Sequence, residues 1–172
     1  MKTTKALLTG AFVLVFGAAC GSAMAKDTVD PDDFVNDASA KGIAEIEAGK
    51  LALQKSSSLQ VKVLAQHIID DHTAANKELT KIAQKKNLKV ASDAELSNKA
   101  KAFVLKQHDG ESFDISYAKN EVSAHKDAIE LFNKAAISKD IELANFAKRT
   151  LPKLQEHLQA AEDLTVAVDK AQ

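Results

Sequence analysis

Beyond residue 25 the chain's only glycines are Gly42, Gly49 and Gly110, and its only prolines are Pro31 and Pro152. These two residue types are the costliest inside a helix, by about 1 kcal/mol for glycine and about 3 kcal/mol for proline. A stretch so poor in them can form long helices, and its few breaks carry helix-ending chemistry. Asp30-Pro31-Asp32-Asp33 combines a side-chain cap, a proline at the first helical position and acids near the positive end of the helix dipole. A first long helix is predicted from there to Lys55. Ser56-Ser57-Ser58 is a turn, and a second helix runs to Lys86, closing on Lys85, Lys86 and Asn87. Ser92-Asp93-Ala94-Glu95 has the form of a capping box and predicts a short helix to Gln107. Asp109-Gly110 breaks it, and Ser112 is placed to cap a third long helix ending near Ser138. A fourth runs from Asp140 to Val168, with Pro152 expected to kink it. No stretch reads as a strand. The fold class is all-α: a four-helix bundle with one short extra helix in the connection between the second and third long helices.

The 172 residues are 45% hydrophobic and 27% charged, with a formal net charge of −1, which suits one domain with a sizeable core. Near-neutral charge leaves no electrostatic footprint for nucleic acid. Residues 1–25 read as a signal peptide and 26–172 as the bundle domain. Lys2 and Lys5 precede the apolar run ALLTGAFVLVFGAA, too short to span a bilayer as a mature helix, and Ala23-Met24-Ala25 supplies a small-residue cleavage site. The mature chain is then expected in the periplasm, with no transmembrane segment. Cleavage removes Cys20, the sole cysteine, so no internal disulfide can form, and it removes Met24, so no Met-rich copper motif exists. The rival reading takes GAAC as a lipoprotein box with Cys20 acylated. Such boxes usually carry Leu three residues earlier, where Gly17 stands.

Projecting each helix at about 100° per residue separates wet from buried polar groups. In the second helix Val61, Leu64, Ala65, Ile68, Ala75, Leu79, Ile82 and Ala83 form a stripe with His72 at its centre, flanked by Asp71 and Asn76. His67 and Asp70 face away. In the first helix Glu45 shares the face of Phe34, Ala38, Gly42, Ile46, Gly49 and Ala52, and Glu47 points out. In the third, Glu121 and His125 lie with Phe113, Tyr117, Ala128 and Phe132; in the fourth, His157 lies with Phe146, Ala147, Leu154 and Ala161 while Glu156 faces out. All five inward groups fall near mid-bundle, within about two turns of one another.

Three imidazoles and two carboxylates in an apolar interior cost several kcal/mol if unpaired. A hydrogen-bonded network of His and Glu removes that cost and is the better reading of any single inward histidine. Five such groups from four helices at one height favour a transition-metal site of Glu45, His72, Glu121, His125 and His157. Imidazole with a few carboxylate oxygens suits Zn, Fe, Mn or Cu(II) and suits Ca or Mg poorly. Tyr117 and Asn76, each one turn from a ligand, are placed to orient the set. Di-iron bundles carry Glu-x-x-His pairs, but Ile69 and Leu154 stand three residues before His72 and His157, so the site reads as mononuclear.

The blocks FVNDASAKGIAEIEAGKLA, LAQHIIDDHTAANKEL, FDISYAKNEVSAHKDAIELF and FAKRTLPKLQEHLQAAEDL together resemble a bacterial domain-of-unknown-function family, often labelled an outer-membrane or periplasmic protein. The resemblance covers residues 34–164. It implies a ferritin-like fold and an envelope location, and brings no established activity. The family's Asp-His block matches Asp71-His72, its third-helix His matches His125, and its Leu-Pro-x-Leu-x-x-His block matches Leu151 to His157. Where many members have Asp before the third-helix His, this chain has Ala124. The family's outer-membrane label conflicts with the lack of barrel strands.

Two function classes follow: a periplasmic metal-binding bundle, protective against metal or oxidative stress, and a metal-free envelope or interaction module with a structural polar network. Nothing in the sequence supplies a substrate pocket, so binding is favoured over catalysis. Protein partners are not specified, and a homo-oligomer is compatible with the chain.

Overall fold

The computed structural model describes residues 28–94 and 96–170; the expected signal peptide lies outside them. It contains α1 (Pro31–Lys55), α2 (Leu59–Lys86), α3 (Leu96–Lys106), α4 (Gly110–Ala135) and α5 (Ile141–Asp169), with no strand among the described residues. The caps explain most boundaries. The Asp30 carboxylate accepts from the Asp32 amide, Ser58 accepts from Val61, and Asp140 accepts from Glu142 and Leu143. Asn87 closes α2 in the left-handed conformation at φ 56°, as its short polar side chain allows. α5 runs through Pro152 as one helix.

Two starts differ from the sequence reading. Ser112 does not cap α4: its hydroxyl donates to the Asp109 carbonyl, and the helix starts at Gly110. Asp109 makes no cap bond either, because its carboxylate is held by Lys55 Nζ at 2.7 Å. α3 starts at Leu96, later than a cap at Ser92 predicts, and Asp93 pairs instead with Lys99 at 2.7 Å.

α1 packs on α2 and α4, α5 packs on the same two, and α3 lies across α1 and α4. The apolar residues fall into two clusters. One joins Phe34 of α1, Leu79 and Ile82 of α2, Phe132 of α4, and Leu143 and Phe146 of α5. The other joins Ala52, Val61, Leu64, Phe113, Tyr117, Ala161 and Leu164. These groupings fix direction: α1 and α5 run one way, α2 and α4 the other. α2 and α4 therefore occupy opposite corners in parallel, and the segment between them, with α3, must travel back along the bundle. Lys55 anchors the far end of that return, donating to the Lys106 and His108 carbonyls at 2.9 and 2.7 Å. Ser39 Oγ anchors the near end by accepting from the Ala91 amide at 2.8 Å.

The α1–α2 approach is close at Gly42, where a Cβ would collide with the Asn76 side chain. Asn76 Nδ2 donates to the Ser39 carbonyl at 3.2 Å. Its amide is thus occupied in joining two helices, which corrects the expectation that Asn76 orients a ligand. No helix among the described residues is long and apolar enough to cross a membrane.

Candidate metal centre

The two apolar clusters are separated by a polar layer, and the separation is written along each helix. Glu45 lies between Ala38 and Ala48 on α1, and His72 between Ile68 and Leu79 on α2. Glu121 and His125 lie between Ala118 and Ala128 on α4, and His157 between Leu154 and Ala161 on α5. The structure thus brings together all five residues singled out in the sequence. Their exposures are 6% for Glu45, 8% for His72, 0% for Glu121, 1% for His125 and 5% for His157. Glu47, His67, Asp70 and Glu156 are exposed.

The five do not meet at one point; they form two trios that share His125. His72, His125 and His157 offer donor atoms within 4.8 Å of one another, and so do Glu45, Glu121 and His125. Hydrogen bonds assign the imidazole tautomers. His125 Nδ1 is 2.9 Å from the Glu121 carbonyl oxygen, which can only accept, so Nδ1 carries the hydrogen and the neutral ring's Nε2 is bare. His157 Nε2 donates to Asp71 Oδ2 at 3.0 Å, which leaves Nδ1 bare. Those two bare nitrogens face each other at 3.3 Å. His72 completes the trio, with ring centroids 5.6 Å from His125 and 5.7 Å from His157, and its Nε2 is buried without a partner. Lone pairs so placed repel unless a proton or a cation stands between them. Nitrogens bound to one tetrahedral ion at 2.0–2.1 Å lie about 3.3 Å apart, so the His125–His157 spacing fits a shared metal.

Asp71 was not among the residues expected to form the site. The helix projection placed it only at the edge of the stripe, and its partner comes from α5, which one helix's periodicity cannot reveal. A carboxylate behind a ligating imidazole fixes tautomer and ring orientation. Asp71→Ala should therefore weaken metal binding by about 10- to 100-fold, measured by competition titration against a chelator, with little change in the metal-free helical content.

The carboxylates occupy the other side of His125. Glu121 Oε2 is 3.5 Å and Glu45 Oε2 3.9 Å from its Nδ1. Both Glu121 oxygens, Glu45 Oε2 and the Tyr117 hydroxyl are buried with no partner in hydrogen-bonding geometry. Burial, then the charge of Glu45, drives Glu121 well above the usual carboxylate range. Burial pushes Glu45 up too, but the neighbouring Glu121 carboxyl and the three imidazoles outweigh it and hold Glu45 low. The pair therefore carries one charge, on Glu45, with the proton on Glu121. Burial, and next the neighbouring carboxyl groups of Glu121 and Glu45, raise the Tyr117 hydroxyl, keeping it neutral. With His72 and His125, Glu45 lines a small void of about 20 Å³, room for one water-sized occupant.

Burial lowers His72 from 6.5 to about 4 against the opposing pull of Glu45. Burial and the neighbouring His125 also lower His157. The folded protein therefore refuses a proton that the unfolded chain accepts. The stability this represents is complete above pH 6.5 and is lost as pH falls towards 4. Glu121 contributes with the opposite sign over the same window, so a comparison of variants isolates His72. Relative to His72→Gln, the metal-free wild type should lose about 3 kcal/mol between pH 7 and 4, read by urea unfolding at fixed pH values.

A scan against family models matches residues 17–164 to DUF4142, a domain of unknown function. The chain belongs to this family. No curated protein and no solved structure matches it. The DUF4142 match spans all five helices up to Leu164 of α5, and so contains every residue of the polar layer.

Proposed function

We propose that this DUF4142 protein is a periplasmic ferritin-like bundle that binds a single transition-metal ion in its core. His72, His125 and His157 are the imidazole donors; Glu45 and Glu121 lie on the other side of His125, where the Glu121 carbonyl holds the ring. The observation that carries this reading is the pair of bare nitrogens on His125 and His157, 3.3 Å apart, with an unpartnered His72 nitrogen beside them. An ion there would satisfy all three. The ferritin-like assignment draws on the return of the chain along the bundle between α2 and α4, which a single crossover connection requires. Three imidazole nitrogens, with carboxylates close by, suit Zn, Cu(II), Fe or Mn, and sequestering such an ion would protect the envelope from metal or oxidative stress.

The runner-up is a metal-free module whose layer is only a polar network. It is favoured by the same 3.3 Å contact, since a proton on His125 Nε2 would turn it into a hydrogen bond. That arrangement needs a cationic imidazole in the core and leaves the Glu121 oxygens unpartnered. Metal analysis of protein purified from the periplasmic fraction without added metal separates the two. About one bound ion per chain is expected, and protein without metal, unable to acquire any, would support the network.

Export is part of the proposal and rests on residues outside those described. The mature chain should begin at Lys26 and be released by osmotic shock; an intact mass showing a diacylglyceryl Cys20 would make it a lipoprotein instead.

A further inference from the structure

The centre is closed on most sides. Phe34, Phe132 and Phe146 plug one end of the bundle, with ring centroids 5.2 to 6.3 Å apart, and Phe113 stacked on Tyr117 plugs the other. On the α1–α4 face, α3 lies across the bundle with Leu105 buried, and the void of about 20 Å³ beside Glu45 is bordered by Lys41, Lys101 and Asp127, with Lys101 3.6 Å from Asp127. The α2–α5 face is different. There a cleft of about 230 Å³ includes His72 and His157 in its lining, between small residues such as Ala74 and Ala75. His72, only 8% exposed and with an unpartnered Nε2, is among the residues of this lining. A neighbouring cleft of about 370 Å³ meets the first at Asp71 and His157 and is bordered by His67, Asp70 and Glu156.

Charge at this rim is suited to a cation. Asp70, Asp71 and Glu156 border the larger cleft against Lys153, and in the smaller cleft Asp71 and Glu78 meet Lys153 and Arg149, the arginine being paired with Glu78. Lys153 stands where the clefts meet, its Nζ 3.1 Å from Glu156 and 3.9 Å from Asp71. Asp71 Oδ2 in turn accepts from His157. Carboxylate oxygens therefore stand both at the cleft border and against the first imidazole.

We propose that the α2–α5 cleft is the path by which a divalent transition cation reaches the core, with Asp71 as the last surface ligand and Lys153 as the charge that slows its passage. This rests on the metal-binding reading above. A cation approaching a negative rim gains rate from electrostatic attraction, and the gain fades with salt. The α3 face, where the void is only about 20 Å³ and two lysines border it, takes no part.

The test follows Cu(II) uptake by stopped flow, using quenching of Tyr117, the only tyrosine in a chain without tryptophan. Lys153→Glu and Lys101→Glu make the same change of charge at the two faces, and both lysines are partly exposed, with side chains 54% and 41% accessible. At low ionic strength Lys153→Glu should speed uptake by about 3- to 10-fold, with the gain shrinking in 0.5 M salt, while Lys101→Glu stays within about twofold of wild type. Equal rates for the two variants, or a gain confined to Lys101→Glu, would overturn the path and leave the metal centre standing. If wild-type protein binds no Cu(II) or Zn(II) in an equilibrium titration, the path and the centre fail together.

Discussion

Replacing Glu121 with leucine should make the metal-free protein more stable and less responsive to metal. Both Glu121 oxygens are buried without a partner, in a residue with 0% exposure. Burial and the charge of Glu45 keep its carboxyl protonated, and a buried carboxyl whose main neighbour is the Glu45 carboxylate still costs free energy in an apolar layer. A leucine of similar volume removes that cost. The expected gain is about 1–3 kcal/mol, or a rise in Tm of about 3–10 °C at this chain length, measured without metal in the presence of chelator. Metal affinity should fall by up to about 10-fold, because the carboxyl 3.5 Å from His125 Nδ1 is gone while the backbone carbonyl that fixes its tautomer stays. The polar-network reading expects the reverse: a residue kept for structure should cost stability when removed. Calorimetry of the two metal-free proteins therefore distinguishes a residue kept for binding from one kept for folding.

His72→Ala should weaken metal binding by at least about 100-fold, more than loss of a supporting carboxylate, whereas His67→Ala should leave equilibrium affinity unchanged. The two histidines lie five positions apart on α2, one 8% exposed within the trio and one on the wet face. Isothermal titration with Zn(II) at pH 7 checks this directly. The metal-free His72→Ala protein should remain folded, since the change deletes a buried imidazole whose Nε2 has no partner.

Much of this was legible because helix periodicity acts locally. The stripe through His72, the wet placement of His67 and Asp70, and the inward turn of Glu45, Glu121, His125 and His157 all follow from spacing of about 3.6 residues per turn. Capping chemistry located Pro31, Asn87 and Asp140 for the same reason: its hydrogen bonds reach only two to four residues. What spacing missed depended on a second helix. Asp109 was diverted from capping α4 by Lys55, over fifty positions earlier in the chain. Asn76 was occupied by the Ser39 carbonyl of α1. Asp71 gained its partner from α5. The division of the five residues around His125 was equally hidden, since it depends on which ring nitrogen meets the Glu121 carbonyl.

The central claim is that the polar layer holds a transition metal, and thermal unfolding with and without Zn, Cu, Mn and Fe tests it most directly. At a free metal concentration 100 times Kd, a bound ion stabilises the fold by about 2.7 kcal/mol, a rise in Tm of about 5–10 °C. Wild type and His67→Ala should show that rise with at least one of the four metals, and His72→Ala should show almost none. If no metal raises the wild-type Tm, or if both histidine variants respond equally, the layer is a structural network and the metal reading is wrong.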